Sequence, residues 1–118
     1  MKLHESGENY LETIYLLTEQ SKNVRAIDIA NELSFSRASV SRALNLLKDK
    51  GYINIDNNLI TLTRQGLAKA EGIYARHVHI TNFLIKSLGL DKHTAEKDAC
   101  RIEHIISEKT FNLIKEKY

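Results

Sequence analysis

The stretch "VRAIDIANELSFSRASVSRALNLLKDKG", residues 24–51, decides the fold. Its apolar residues recur at helical spacing, which predicts two short amphipathic helices, and the letters SFS between them predict a tight turn. Ser36 can act as the N-cap of the second helix, and Gly51 stands where a left-handed residue ends one. The stretch therefore predicts a helix-turn-helix.

The flanking segments extend this prediction. "GENYLETIYLLTEQ" before the stretch has helical period, whereas "YINID" and "LITLT" after it have period two and flank the turn residues Asn57 and Asn58. Thr63 can cap a long helix from about Arg64 to Leu88, ended by Gly89, and further helices are expected around 92–107 and 109–118. The order is typical of a mainly α protein with a winged helix-turn-helix domain, residues 1–63, followed by a helical domain, residues 64–118.

Composition limits the class of protein. A chain of 118 residues with 42% hydrophobic content can bury a modest core, and a single cysteine excludes an internal disulfide. Neither a secretory signal nor a membrane span is recognisable in the sequence. We therefore expect a cytoplasmic protein with no membrane partner.

The second helix of the helix-turn-helix carries a polar face suited to DNA. With Val40, Ala43, Leu44 and Leu47 facing inward, hydroxyls and guanidiniums are left outward, where they can reach base edges or phosphates. An ordinary solvated helix face is the alternative, but a hairpin after a helix-turn-helix typically lies on the phosphates and favours the DNA reading. The expected DNA-binding residues are Arg25, Ser36, Arg37, Ser39, Arg42 and Lys48.

A second candidate site lies in "DACRIEHIIS", residues 98–107. Cys100, Glu103 and His104 share one face of any helix that carries them. Taken alone the trio is ambiguous, because a cysteine is often a small buried hydrophobe and a Glu-His pair is often surface.

Two other segments favour a metal site. His77 lies on the apolar stripe of the long helix, where a lone histidine is more often a core residue, and the first helix offers Asn9 and Glu12 one turn apart. Thiolate, imidazole and carboxylate ligands together suit a first-row divalent ion such as iron(II), manganese(II), cobalt(II) or zinc(II).

The chain resembles the diphtheria toxin repressor family of metal-dependent transcriptional regulators, which includes the manganese-transport regulators. The similarity extends over nearly the whole sequence. It rests on "NYLETIYLL", "DIANELSFSRASVSRALNLL", "LTRQG", "RHVHITNFL" and "DACRIEHIIS".

The resemblance implies metal ligands at Asn9, His77, Cys100, Glu103 and His104. Asn9 stands where the family usually has aspartate or methionine. Glu12 matches a carboxylate of the manganese branch, whereas Cys100 matches the iron branch, so the sequence combines the two. The iron branch also has an ancillary site, and its positions are occupied here by Thr81 and Glu96, which makes Glu96 a further candidate ligand.

For function, the resemblance implies a homodimeric repressor of metal-uptake genes that binds a palindromic operator on double-stranded DNA. Its metal would be Fe(II) or Mn(II), with Co(II), Zn(II) or Ni(II) able to replace it in vitro. We expect dimerisation through apolar residues of the last helices, which are Ile102, Ile105, Ile106, Phe111, Leu113 and Ile114.

Two other classes of protein could carry these residues. One is a winged-helix regulator that responds to a non-metal signal, with Cys100 as a redox thiol or a core residue. The other is a metallohydrolase, but the sequence has no HExxH motif and no glycine-rich phosphate loop, so we expect no enzyme activity.

Overall fold

Six helices and one two-stranded sheet make up the residues that the computed structural model describes, 5–21 and 23–118. The chain divides into two compact units, the first ending at Glu71 and the second beginning at Gly72. Within the described ranges, no helix has the length and apolar character needed to cross a membrane. The elements are α1 (Glu5–Gln20), α2 (Ala26–Leu33), α3 (Arg37–Asp49), β1 (Ile53–Asp56), β2 (Leu59–Leu62), α4 (Arg64–Leu88), α5 (Lys92–Ile105) and α6 (Glu108–Lys117).

The helix-turn-helix is confirmed as α2 and α3. Ser34 ends α2 in the left-handed conformation, with a φ of 57°. Ser36 is the N-cap of α3, because its Oγ accepts a hydrogen bond from the Ser39 amide at 3.2 Å. Three apolar residues of α3 spaced three or four apart, Val40, Leu44 and Leu47, are buried. Burial of this stripe leaves the rest of α3 open to solvent.

The predicted wing is an antiparallel hairpin of β1 and β2, in which Ile53 pairs with Leu62. Asn57 and Asn58 form its turn with φ values of 50° and 67°, which asparagine tolerates better than most residues. An additional bridge, which has no signal in the sequence, joins β2 to the segment before α2. There the Ile60 amide donates to the Val24 carbonyl at 2.8 Å.

The start of α4 packs tightly against the end of α3. Thr63 Oγ1 accepts from the Gly66 amide at 3.0 Å and donates to the Gly51 carbonyl at 2.7 Å, so this residue caps α4 as predicted. Gly51 has a φ of 83°, as expected for the residue after α3. A Cβ on Gly66 would stand 1.9 Å from the Tyr52 carbonyl oxygen. Only glycine fits at this contact.

The second unit has its own core, formed where α4, α5 and α6 meet. Buried residues of this core are Ile80, Leu84, Ala95 and Ala99, and Ile102, Ile106 and Phe111 pack against them. Asp91 caps α5 by accepting from the Thr94 amide at 2.9 Å. The helices end within two residues of the predicted bounds. The difference at α5 arises because Ser107 is the N-cap of α6, so α5 ends at Ile105 and not at residue 107.

Candidate metal centre and nucleic-acid interface

The outward face of α3 carries the residues predicted to read DNA. Arg37, Arg42 and Lys48 are exposed, and Ser36 is exposed at the N-terminus of the helix. Ser39 is half-buried, and its hydroxyl accepts from the Ser36 hydroxyl at 3.0 Å. The two guanidiniums lie within the first two turns of α3, where a recognition helix normally meets base edges.

A cleft separates this face of α3 from the hairpin. It has a volume of about 550 Å³, and both arginines at its edges, Arg25 and Arg37, are exposed. Its walls combine apolar residues with polar side chains, of which the arginines and asparagines can donate hydrogen bonds to phosphate oxygens. The polar residues of these walls are Arg25, Arg37, Ser41, Asn45 and Asn58.

Arg25 has a structural contact in addition to its predicted position at the DNA. Its guanidinium donates to the Asn57 carbonyl at 3.4 Å, and its amide donates to the Asp28 carboxylate at 2.8 Å. The first contact reaches the turn of the hairpin, and the second caps α2. Arg25 therefore holds the wing turn beside the start of the helix-turn-helix.

Three of the predicted metal ligands of the second unit, His77, Glu103 and His104, meet at the Glu103 carboxylate. This carboxylate is fully buried, with Oε2 at 2.9 Å from His77 Nδ1 and Oε1 at 3.3 Å from His104 Nε2. His77 comes from the apolar stripe of α4, and Glu103 lies on α5 in register with the buried Ala95 and Ala99. Three residues selected from the sequence are thus brought together within this unit.

The electrostatics of this group are dominated by the buried carboxylate. The hydrogen bond to Glu103 raises the pKa of His77 above its ordinary value, while partial burial opposes the shift and the charges of Glu103 and Glu96 add to it. A carboxylate in a fully buried position requires a cationic or hydrogen-bonding partner, because an isolated buried charge is very costly. A proton on His77 supplies such a partner, and a divalent cation would supply a stronger one.

The donor set fits a first-row divalent ion. Carboxylate oxygen and imidazole nitrogen are donors that Fe(II), Mn(II), Co(II) and Zn(II) all accept, and here the two imidazoles contact different oxygens of the one carboxylate. These donors are delivered by two packed helices, so little chain ordering is required when a cation binds.

The remaining predicted ligands are in other surroundings. Cys100 is exposed on α5. Glu96 is half-exposed and pairs with Lys92 at 3.8 Å. In the first unit, Glu12 is buried on α1 and Asn9 is half-buried. The backbone carbonyl of Asn9 accepts a hydrogen bond from the Thr13 hydroxyl at 2.8 Å.

Two polar groups near the centre were not selected from the sequence. Arg76 Nη1 donates to the Glu103 carbonyl at 3.2 Å, and its position directly before His77 was the available signal. Thr81 is buried one turn after His77, and its hydroxyl has no hydrogen-bond partner among the described residues. The resemblance places Thr81 at a position of the ancillary site, but a threonine was not expected there to be a ligand.

Comparison with protein families matches both units. Residues 2–59 match the N-terminal DNA-binding domain of iron-dependent repressors. Residues 63–118 match the iron-dependent repressor metal-binding and dimerisation domain. Together these matches extend over most of the chain.

Individual relatives agree with the family matches. An uncharacterised HTH-type transcriptional regulator of Methanocaldococcus jannaschii is 34% identical over 115 residues, which are 96% of this chain and 92% of the relative. The iron-dependent repressor IdeR of Mycobacterium leprae is 31% identical over 107 residues, covering 90% of this chain. The chain spans only 46% of that repressor's length.

A solved structure of similar fold is a manganese-dependent transcriptional repressor in complex with manganese. It has a TM-score of 0.84 and 25% identity, over 94% of this chain and 51% of the other. The fold, a winged helix-turn-helix followed by a helical unit, agrees with the two family matches. The chain therefore belongs to the iron-dependent repressor family of metal-dependent, DNA-binding transcriptional repressors.

Proposed function

We propose that this chain is a homodimeric repressor that binds a palindromic operator beside metal-uptake genes when Fe(II) or Mn(II) is bound. The observation that carries the proposal is the fully buried Glu103 carboxylate between the imidazoles of His77 and His104. A structural core position would be filled at lower cost by an apolar residue, so a buried carboxylate with two imidazoles is better explained by cation binding.

In the second unit, His77, Glu103 and His104 would hold the ion, with Cys100 as a further ligand from α5. Asn9 and Glu12 of α1 are proposed to complete the site on the strength of the sequence resemblance alone, and Glu96 is proposed for an ancillary site on the same ground. A bound cation supplies positive charge that takes the place of the proton on His77. Thiolate and imidazole donors favour Fe(II), Co(II) or Zn(II), whereas carboxylates favour Mn(II).

Metal binding can favour DNA binding only if the metal binds the DNA-competent state of the protein more tightly than the other state. If ligands from both units hold one ion, states in which the ligands converge gain free energy and the others do not. The coupling is reciprocal, so operator DNA should tighten metal binding by the factor by which metal tightens DNA binding.

At the DNA, we propose that Arg37 and Arg42 reach base edges, while Ser36, Ser39 and Lys48 contact the backbone. A helix N-terminus with a serine cap favours a phosphate, because its amides and dipole are directed outward. The cleft beside the wing would receive the sugar-phosphate backbone, with Arg25 at its edge.

A second copy of the chain is the proposed partner of the helical unit. Of the six apolar residues predicted for the dimer, Ile105 and Leu113 are exposed by 64% and 49%, whereas Ile114 is buried. The other three, Ile102, Ile106 and Phe111, pack partly against the core. Ile105 and Leu113 are therefore the proposed contacts, and the two-fold symmetry of such a dimer suits a palindromic operator.

The function is tested by DNA binding of protein freed of metal with a chelator. Fluorescence anisotropy with the DNA flanking the gene should show binding after addition of Mn(II), Fe(II) under anaerobic conditions, Co(II) or Zn(II). His104→Ala should abolish the response, whereas Lys86→Ala, an exposed cation near the end of α4, should retain it. Equal binding with chelator and with every metal would instead support a regulator of a non-metal signal.

A further inference from the structure

Arg76 contacts all the helices of the second unit through one side chain. It lies on α4 directly before His77, and its Nη1 donates to the Glu103 carbonyl of α5 at 3.2 Å. The carbon of its guanidinium lies 5.4 Å from the centre of the Phe111 ring of α6.

The first contact satisfies a backbone group that the helix leaves open. Glu103 lies in the last turn of α5, where carbonyls have no amide four residues ahead within the helix. The last helical bond of α5 runs from the Ile106 amide to the Ile102 carbonyl at 2.9 Å. The Glu103 carbonyl is the next acceptor along the chain. A guanidinium suits this place, because it forms a charge-assisted bond and its charge opposes the negative end of the helix dipole.

The second contact places the guanidinium of Arg76 over the Phe111 ring. A cation over an aromatic ring is attracted to its face, and the flat guanidinium can stack while it donates in its plane. His79 contacts the same ring edge-on at 5.9 Å between centroids, so two residues of α4 contact Phe111. The position of α6 therefore limits where the donor of Arg76 can point.

Two neighbouring residues of α4 thus contact Glu103, one at its side chain and one at its backbone. His77 contacts its carboxylate at 2.9 Å, and Arg76 contacts its carbonyl at 3.2 Å. Sliding or rotating the end of α5 along α4 would break both contacts at once. The carboxylate and the following His104 therefore keep one position relative to His77.

We propose that Arg76 is a positioning residue of the metal centre, which sets the placement of Glu103 and His104 relative to His77 and is itself oriented by Phe111. This inference rests on the proposed metal-binding function. Arg76 does not touch the cation, and it acts through the backbone of Glu103. Outer-shell groups of this kind commonly change metal affinity by 10 to 100-fold when removed.

The test uses Co(II), whose visible absorption reports ligand number and geometry, with the affinity measured in the same titration of the full chain. Arg76→Ala should lower Co(II) affinity by about 10-fold or more and change the shape of the absorption bands. Arg76→Lys keeps the charge without the planar fork and should restore affinity only in part. Phe111→Leu should shift affinity and spectrum in the same direction by a smaller amount.

Two comparisons separate positioning from general loss of packing. The double variant Arg76→Ala/Phe111→Leu should bind Co(II) like Arg76→Ala alone, since the ring acts through the guanidinium and the two losses should not add. Lys86→Ala on the same helix should match the unmodified protein. If Arg76→Ala fails to fold by circular dichroism, Arg76→Lys and Phe111→Leu decide the test.

Outcomes distinguish this inference from the proposed function. If His104→Ala loses Co(II) binding while the arginine and phenylalanine variants keep normal affinity and spectrum, the role of Arg76 is wrong and the metal site stands. If the unmodified protein binds no Co(II), or His104→Ala binds it normally, both proposals fail. Additive losses in the double variant would also overturn the positioning role.

Discussion

His77 Nδ1 lies 2.9 Å from Glu103 Oε2, and this contact joins α4 to the buried face of α5. The acid is fully buried and the imidazole is half-buried, so the pair is shielded from water on the acid side. Such a contact makes the imidazole a better base, because the carboxylate stabilises its protonated form. It therefore links the stability of the second unit to both proton and metal concentration.

The metal-free protein should lose stability as pH rises through the pKa of His77. That pKa is raised above 6.5, first by the hydrogen bond to Glu103, so the folded state binds the proton more tightly than the unfolded state does. The stabilisation is complete below about pH 6.5 and disappears as the pH passes the raised pKa. NMR titration of the imidazole and denaturation at several pH values would measure both effects.

Glu103→Gln is the matched control, because it keeps the shape of the side chain and removes the charge. In this variant the pKa of His77 should fall, and the associated pH dependence of stability should shrink. An unchanged titration of His77 in Glu103→Gln would contradict the contact described here.

Cys100→Ser should alter which metal activates DNA binding more than whether metal activates it. A thiolate favours Fe(II), Co(II) or Zn(II) over Mn(II), and a hydroxyl removes that preference. Activation curves would give the half-saturating concentrations of Mn(II) and Co(II). In Cys100→Ser, the ratio of the Mn(II) value to the Co(II) value should fall. Cys100 is exposed on α5, so the fold should be unaffected. An unchanged ratio would exclude the thiol from the ligand set.

Much of the first unit follows from local sequence patterns. The apolar stripe of Val40, Leu44 and Leu47 predicts α3 because burial of one helix face imposes that spacing. The Asn57-Asn58 turn predicts the hairpin because both residues tolerate positive φ. The bridge between Val24 and Ile60 was missed, since a single pair between distant segments leaves no periodic signal.

Within the candidate site, residue types could be selected from the sequence but their distances could not. His77 and Glu103 are neighbours only because α4 and α5 pack with Ile80, Leu84, Ala95 and Ala99 between them. Arg76 was missed because its partner is a backbone carbonyl, a group present at every position of the sequence. The roles of His77, Glu103 and His104 as ligands stay predictions until metal binding is measured.

Arg37→Ala and Arg42→Ala should each weaken operator binding by about 1 to 3 kcal/mol if the contact is bidentate to a base. Both side chains are exposed on the first two turns of α3, so neither change should affect folding. Binding to the operator and to a scrambled sequence should be compared, since loss of a base contact reduces the difference between them. Unchanged affinity of both variants at moderate salt would mean that α3 is not the reading helix.

Arg25→Ala should weaken operator binding, and the dependence on salt should reveal why. If Arg25 mainly holds the wing through the Asn57 carbonyl, affinity falls while the slope of log K against log salt concentration is unchanged. If it neutralises a phosphate, the slope decreases by about one. Lys48→Ala is the control for a direct phosphate contact. We expect a smaller slope for both variants, with a larger loss of affinity for Arg25→Ala because its contact with the wing turn is lost as well.

Gly66→Ala should destabilise the first unit, whereas Gly72→Ala should not. Both glycines lie within α4, but a Cβ at Gly66 would stand 1.9 Å from the Tyr52 carbonyl oxygen and a Cβ at Gly72 meets nothing within 4 Å. The backbone must shift at the first position, and forced repacking of this kind typically costs about 1 to 3 kcal/mol. At Gly72, alanine should raise the free energy of unfolding by roughly 0.5 to 1 kcal/mol, because glycine is entropically costly in a helix. Urea denaturation of both variants gives the two values, and equal stability would contradict the tight approach of α4 to Tyr52.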